Sequence, residues 1–350
     1  MVKRADGTGR PAGIREVARA AGVSVASASF ALNGQSGVAP VTRSRILAAA
    51  EELGYRANPQ AQALRSGRST TYGFIVRNFS NPFFLDVMSG AEEVAGAAGA
   101  SLLVLDSRYS LEREQQHVRE MAGRLVQGLA ISPVGTGESI SLWKQLRPGS
   151  PAVALNALVS SIEGVSRVSP DNRRAVELPM RKLADLGHTS VALLAAPRTL
   201  IADPDRLRHF RRMARELEMT GSTIYSPLTI PDVQKATVAL LSRPHAPTAV
   251  ITNSDYTALA IYKAAREKGV TIGPGLSVVG HDDLPTSEFL DPPLATLRID
   301  SRAMGRELMR RLLDPTVLDD YVAPVELVTR PSIQAPGGAR LRAVHRRVSR

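Results

Sequence analysis

The stretch Ile14-Arg15-Glu16-Val17-Ala18-Arg19-Ala20-Ala21-Gly22-Val23-Ser24-Val25-Ala26-Ser27-Ala28-Ser29-Phe30-Ala31-Leu32-Asn33 carries the first fold signal. Ile14, Val17, Ala18 and Ala21 recur at helical spacing, and Gly22 breaks the run. Ser24 suits an N-cap, since its hydroxyl can accept a backbone N–H of the next helix. That second segment, Val25 to Leu32, stops at Asn33-Gly34. A third begins at Pro40, where a first helical position tolerates the missing N–H. It runs through Ile46, Leu47, Ala50 and Leu53 to Gly54. Three short helices joined by a tight Ala-Gly-Val turn and a polar loop make the helix-turn-helix plan, expected over residues 14–57.

Charge points the same way. The 350-residue chain carries a formal net charge of +11. Residues 1–69 hold ten Lys/Arg against four acids, so +6 falls on a fifth of the chain, which suits a polyanionic partner. Residues 1–13 are polar, basic and expected to be a flexible arm; residues 336–350 are an arginine-rich tail, expected to be disordered. No apolar run reaches membrane-spanning length, and no apolar h-region follows the basic start, so a soluble cytoplasmic protein is expected. The absence of cysteine excludes disulfides, a thiol nucleophile and Cys-ligated zinc.

Beyond Tyr72 the pattern changes. Short apolar runs recur at 73–76, 102–105, 129–131, 152–155, 191–194, 249–251 and 277–279, most separated by helical stretches such as 87–98, 175–186, 205–217 and 256–268. Alternating strand and helix imply parallel sheets with right-handed crossovers, and some 260 residues of it imply two α/β lobes with a cleft between them. Ligands in such folds bind beyond the carboxyl ends of the strands. The chain has no G-x-S-x-G, Walker loop, G-x-G-x-x-G or H-E-x-x-H, its six histidines are dispersed, and neither an enzyme nor a cofactor is expected. Trp143 suits a core, and His188 a structural role.

The opening stretch resembles the head of the lactose-repressor (LacI/GalR) family. The likeness continues through Thr42-Arg43-Ser44-Arg45-Ile46, Leu53-Gly54-Tyr55 and Asn58, and Ala61 to Leu64. In the second part it covers Asn81-Pro82-Phe83-Phe84, Leu186-Gly187-His188, Arg206 before Phe210, Ser254-Asp255, Ser277 to Asp283, Leu294 to Leu297 and Arg330-Pro331-Ser332. It thus spans about residues 14–333. One helix-turn-helix pattern is weak by itself; the ordered set is specific.

The resemblance implies a DNA-binding regulator, most commonly a repressor, with a small helix-turn-helix head on a two-lobed, periplasmic-binding-protein-like sensor (70–335). The first lobe would hold 70–168 and 299–324, the second 169–298 and 325–335. Val25, Ala26 and Phe30 share one helical face and are the candidates for base contact; Ser24, Ser27, Ser29, Asn33 and Thr42 suit phosphates. For Val25 and Phe30 a core position is the competing reading. Residues 58–69 correspond to the family's hinge helix, with Asn58 at its start and Leu64 wedged into the minor groove. In the sensor, Phe83 and Phe84, in a Pro-containing loop, suit stacking on a ring-shaped ligand. Arg206, Asp255 and Asp282 correspond to polar ligand positions and suit vicinal hydroxyls. Asn156 and Asp171 are further candidates, Asp171 equally readable as a helix cap.

The chain departs from the family at several points. Gly13 and Ala39 replace helix-opening Thr and Ser, and Phe30 stands where Arg usually reads guanine. His209 replaces a usual Gly, His281 a usual Phe or Tyr, and Ile299 lies near a common polar position. The partners implied are a near-palindromic double-stranded operator, a sugar-like or nucleoside-like effector, and a second copy in a homodimer or dimer of dimers. A transport-type solute-binding protein would share the sensor fold but not the head.

Overall fold

The computed structural model describes residues 12–55, 70–157, 162–197, 199–200 and 204–337. The chain divides into two compact units at Ser69/Thr70. The expected hinge (58–69), the basic arm up to residue 11 and the tail beyond residue 337 lie outside the described residues.

The first unit is the three-helix head: α1 (Ile14–Ala20), α2 (Val25–Leu32) and α3 (Pro40–Glu52). Gly22, at φ +63°, makes the α1–α2 turn, and Ser24 caps α2 by accepting from Ser27 N at 3.0 Å. Val17, Ala18, Ala21, Ala28, Ala31, Ile46 and Ala50 form its small core. The two missing caps are handled differently. At α1 the Glu16 carboxylate reaches back to accept from Gly13 N. At α3, where Ala39 offers no acceptor, Pro40 removes one orphan donor. Arg43 crosses from α3 to donate to the carbonyls of Ala31 and Gln35, which ties down the loop after α2.

The second unit holds two parallel sheets. Lobe one comprises β1 (Thr71–Val76), α4 (Phe83–Ala97), β2 (Ser101–Asp106), α5 (Leu111–Gly123), β3 (Leu129–Ile131), α6 (Glu138–Leu146), β4 (Ala152–Leu155) and β5 (Val165–Pro170). Lobe two follows with α7 (Arg174–Asp185), β6 (Ser190–Ala195), α8 (Pro204–Glu216), β7 (Thr220–Tyr225), α9 (Ile230–Leu241), β8 (Ala249–Ile251), α10 (Asp255–Glu267) and β9 (Ser277–Val279). Then come β10 (Thr296–Ile299), α11 (Ser301–Leu313), β11 (Tyr321–Ala323) and β12 (Val325–Val328). The sheets run β11-β5-β4-β3-β1-β2 and β7-β6-β8-β9.

Helix α11 returns the chain to lobe one and crosses α4 at backbone contact. A Cβ on Gly90 would strike the Arg302 carbonyl, and one on Gly305 the Val87 carbonyl. Each lobe has an apolar cluster on either side of its sheet. Phe74, Val87 and Met304 lie in one cluster of lobe one, with Trp143 and Met121 in the other; Val250 and Ile261 in one of lobe two, with Met180 and Phe210 in the other. Trp143 is therefore core. So is Ile299.

Three expectations change. Phe83 and Phe84 open helix α4 rather than sit in a loop, because Asn81 supplies the turn: its carbonyl accepts from Phe84 N and its side chain from Phe83 N. The sheets are not the whole β-structure, since β10 and β12 form a separate antiparallel pair where the chain passes between lobes. Strands β5, β7 and β11 also escape the apolar-run reading: Val165-Ser166-Arg167-Val168-Ser169-Pro170, Thr220-Gly221-Ser222-Thr223 and Tyr321-Val322-Ala323 are too polar or too short.

Candidate functional site

A cavity, open at its mouth, lies between the lobes. Its walls come from residues that directly follow strands. Arg77 follows β1, Asn156 follows β4, Ala196 follows β6, Thr252 and Asn253 follow β8, and His281 and Asp282 come just after β9. Those are the carboxyl ends of parallel strands, and in both sheets the strand order reverses there, at β1/β3 and at β6/β8. Asn81 ahead of α4, Phe83 and Phe84 at its start, Tyr109, Leu228 and Arg206 from α8 also line it.

Phe83 and Phe84 meet edge to face, centroids 5.3 Å apart at 74°, and each is only 3% exposed. Packed into the lobe-one core, they offer the cavity an apolar wall rather than a free ring to stack upon. Arg206 donates from Nε to Asn172 Oδ1 at 2.8 Å and from Nη1 to the Asn253 carbonyl at 3.4 Å, which fixes its fork at the wall. Asn156 takes a left-handed φ of +52°, its N–H bonds Val168 O, and its Oδ1 is buried without a protein partner.

Asp282 is the most constrained residue of the wall. Its φ is +113°, a region that side-chain-bearing residues rarely occupy and that costs about 1–3 kcal/mol, so the surroundings must hold it there. They do so through Asp282 N, which bonds Leu297 O at 2.8 Å, and Oδ1, which lies 2.8 Å from His281 Nδ1. Burial pushes the Asp282 carboxyl well above the usual carboxylate range; Asp255 adds to the rise and Arg206 opposes it. Burial likewise pushes His281 well below its usual value, with Arg206 adding to the fall. The pair is therefore held toward neutrality, with Asp282 Oδ2 and His281 Nε2 unpartnered within the protein.

Asp255 does something else. It does not line the cavity: its Oδ2 accepts from Leu284 N (2.9 Å) and Ser287 Oγ (2.6 Å), and its Oδ1 from Thr296 Oγ1 (2.6 Å). Behind the wall, it pins the 280s loop and β10 to α10, and a Cβ on Gly280 would collide with it. Ser254-Asp255 looks polar and ligand-like in sequence because nothing local announces three donors arriving from loops thirty and forty residues on. Asp171 Oδ1 accepts from Arg174 N, the first residue of α7, at 2.9 Å, and Asp171 lines a second cavity with Arg167, His209 and Asp320. His188 is a structural tie, bonded to Thr248, Ser277 and the Gln334 carbonyl.

Sequence reasoning missed Arg77, Tyr109, Thr252 and Asn253. For Arg77, Thr252 and Asn253 the usable signal was position, since they directly follow the buried strands β1 and β8.

In the head, Val25 and Phe30 are 43% and 45% exposed and lie outside the core cluster, and Ala26 is exposed beside them. The core reading of Phe30 fails on that count. Ser24 and Ser27 pair through their hydroxyls at 2.9 Å, and Asn33 Nδ2 donates to Ser29 Oγ at 3.2 Å; Thr42 is half-buried on α3. Asn58 and Leu64 lie outside the described residues.

Residues 13–58 match the model of bacterial regulatory proteins of the lacI family, and residues 180–333 that of a periplasmic binding protein-like domain. The HTH-type transcriptional regulator MalR of Streptomyces coelicolor is 30% identical over 343 residues, 93% of this chain and 98% of that protein. The chain belongs to the lacI family. It is a helix-turn-helix transcriptional regulator, and the solute-binding alternative is not favoured. GalS of Salmonella typhimurium, another HTH-type regulator, is 31% identical over 297 residues, 84% of this chain and 86% of that one. The crystal structure of the lac repressor dimer bound to operator and the anti-inducer ONPF superposes with a TM-score of 0.80 at 27% identity, covering 93% of this lacI-family chain and all of that one. A CelR–cellobiose complex gives 0.67 at 25% identity, covering 92% and 99%. Among the described residues no helix is long and apolar enough to cross a membrane.

Proposed function

We propose that this regulator is a repressor whose operator affinity is set by a small sugar-like or nucleoside-like molecule held in the cavity between the lobes. One observation carries the reading. Polar groups from both lobes, Asn156 of lobe one and Arg206, His281 and Asp282 of lobe two, converge on one cavity, and Asn156 Oδ1, His281 Nε2 and Asp282 Oδ2 are buried there without a protein partner. A molecule with several hydroxyls would satisfy them and fix how the lobes stand to each other. Ligand then shifts DNA affinity only as far as it favours one lobe arrangement over another.

The head would place α2 in the major groove, with Val25, Ala26 and Phe30 on base edges and Ser24, Ser27, Ser29, Asn33 and Thr42 on phosphates. Residues 58–69, with Asn58 and Leu64, would act as a hinge helix in the minor groove, and 14–57 and 70–335 as the head and sensor domains. Two-fold pairing of copies would suit a near-palindromic operator, bound by a homodimer or a dimer of dimers. A protein of this kind works on the chromosome, hence in the cytoplasm, and carries no catalytic machinery.

Selection from random duplex DNA tests the head directly. The expected product is a two-fold symmetric site whose affinity falls steeply with salt, because each neutralised phosphate releases counterion. Enrichment of no sequence, or affinity indifferent to salt, would contradict the proposal.

A further inference from the structure

Helix α2 is eight residues long, too short to hold its own ends in water. Ser24 caps its start, and its far end is closed in two ways. Gly34, at φ +69°, turns the chain so that Gly34 N donates to Ala31 O at 3.3 Å and Gln35 N to Phe30 O at 2.9 Å. The last turn carries no basic residue of its own, and Arg43 of α3 brings one to it. Arg43 Nη1 donates to Ala31 O at 3.2 Å and Nη2 to Gln35 O, so one guanidinium spans the end of the helix and the loop beyond it. That loop also reaches Phe30. Gly37 sits at φ +104°, and a Cβ there would lie 3.8 Å from Phe30 Cδ2, so the loop backbone runs beside the ring. An exposed phenyl group with nothing beside it exchanges rotamers, and a neighbouring wall narrows that choice.

In a basic DNA-binding head an arginine is ordinarily a phosphate ligand. Arg43 has a different geometry: it is half-buried, and its fork turns into the head. We propose that Arg43 is a positioning residue for sequence reading. It holds the loop after α2 against the Phe30 ring, so fixes the base preference there, and takes no phosphate itself. This rests on the reading of α2 as the recognition helix, with Phe30 on base edges. An apolar contact has no directional bond to re-form after a shift. A freed ring therefore loses discrimination, while the phosphate contacts that supply most of the affinity stay in place.

Base-preference profiles and salt slopes of the full-length protein separate positioning from phosphate binding. Duplexes selected from a random pool define the native profile. Phe30→Ala should flatten it at one symmetric pair of positions, lowering the preference there at least about fivefold. Arg43→Met should flatten the same positions about as far, leave the others as they are, and keep the native salt slope. Arg43→Lys, which keeps the charge but not the fork, should retain part of the preference. The double variant Phe30→Ala/Arg43→Met should be no flatter than Phe30→Ala alone, because both changes act on one contact. A phosphate-binding arginine behaves otherwise: its loss weakens every sequence alike and lowers the salt slope by about one for each head. Helical content and binding to a non-selected duplex at low salt report folding. If Arg43→Met loses both, Arg43→Lys decides, and a native profile in it overturns the proposal. An unchanged profile in Arg43→Met, uniform weakening with a lower slope, or a double variant flatter than Phe30→Ala would each overturn it too. If Phe30→Ala flattens the profile and Arg43→Met does not, the reading of α2 stands and only this proposal falls. If Phe30→Ala changes nothing, or the pool yields no enriched sequence, both fall.

Discussion

Phe30 shows how one side chain can set a regulator's preference. It is exposed on α2, where the family usually presents Arg, and a phenyl ring has no donor for the guanine edge. Contact with a thymine C5-methyl is what the ring can make, alongside the apolar Val25 and Ala26. Phe30→Arg should move the selected operator toward guanine at one symmetric pair of positions, a discrimination of roughly 1–3 kcal/mol, and steepen the salt dependence. Site selection on both proteins checks this, and uniform weakening with unchanged base preference would count against it. Residue identity in the head was legible from sequence because a short helix fixes its faces. Asp255 and Asp282 were not separable that way: both follow a polar or Gly-containing turn after a strand, and only the fold delivers Ser287, Thr296 and Leu284 to one carboxylate and leaves the other an unpartnered oxygen.

At the scale of elements, the buried apolar strands were readable as runs, whereas β5, which alternates, and β7, a polar edge strand, were not. The return through β10, α11 and β12 depends on long-range packing, including the backbone contact at Gly90 and Gly305 that no local pattern announces. One tie between elements responds to pH. Glu114 on α5 is fully buried and accepts from Val134 N, past the end of β3, at 2.8 Å. Burial raises its folded-state value from 4.5 to about 7. The folded chain therefore binds a proton that the unfolded chain has lost between those two values, so stability falls as pH rises through that window. Glu114→Gln should remove this slope, worth about 3 kcal/mol at most between pH 4 and 8. Chemical denaturation of both proteins across that range measures it; parallel stability curves would contradict the assignment.

For the whole molecule, the order of head, linker segment and two-lobed sensor was visible in the sequence, since the change from 3.6-residue periodicity to alternating strand and helix falls after Tyr72 and the structure divides at Ser69/Thr70. The cleft was legible as a place, at the carboxyl ends of the strands, but not in its full lining, because Arg77 lies one residue past the β1 run. The central claim is that a molecule in this cleft controls DNA binding. The most direct measurement is the dissociation constant for the selected operator with and without a saturating ligand that raises the melting temperature, in the native protein and in Arg206→Ala. The account predicts a change of about 5- to 150-fold, the usual span of allosteric coupling, that disappears in Arg206→Ala while ligand-free operator affinity is retained. A ligand that binds the native protein in this cleft and leaves operator affinity unaltered would contradict it.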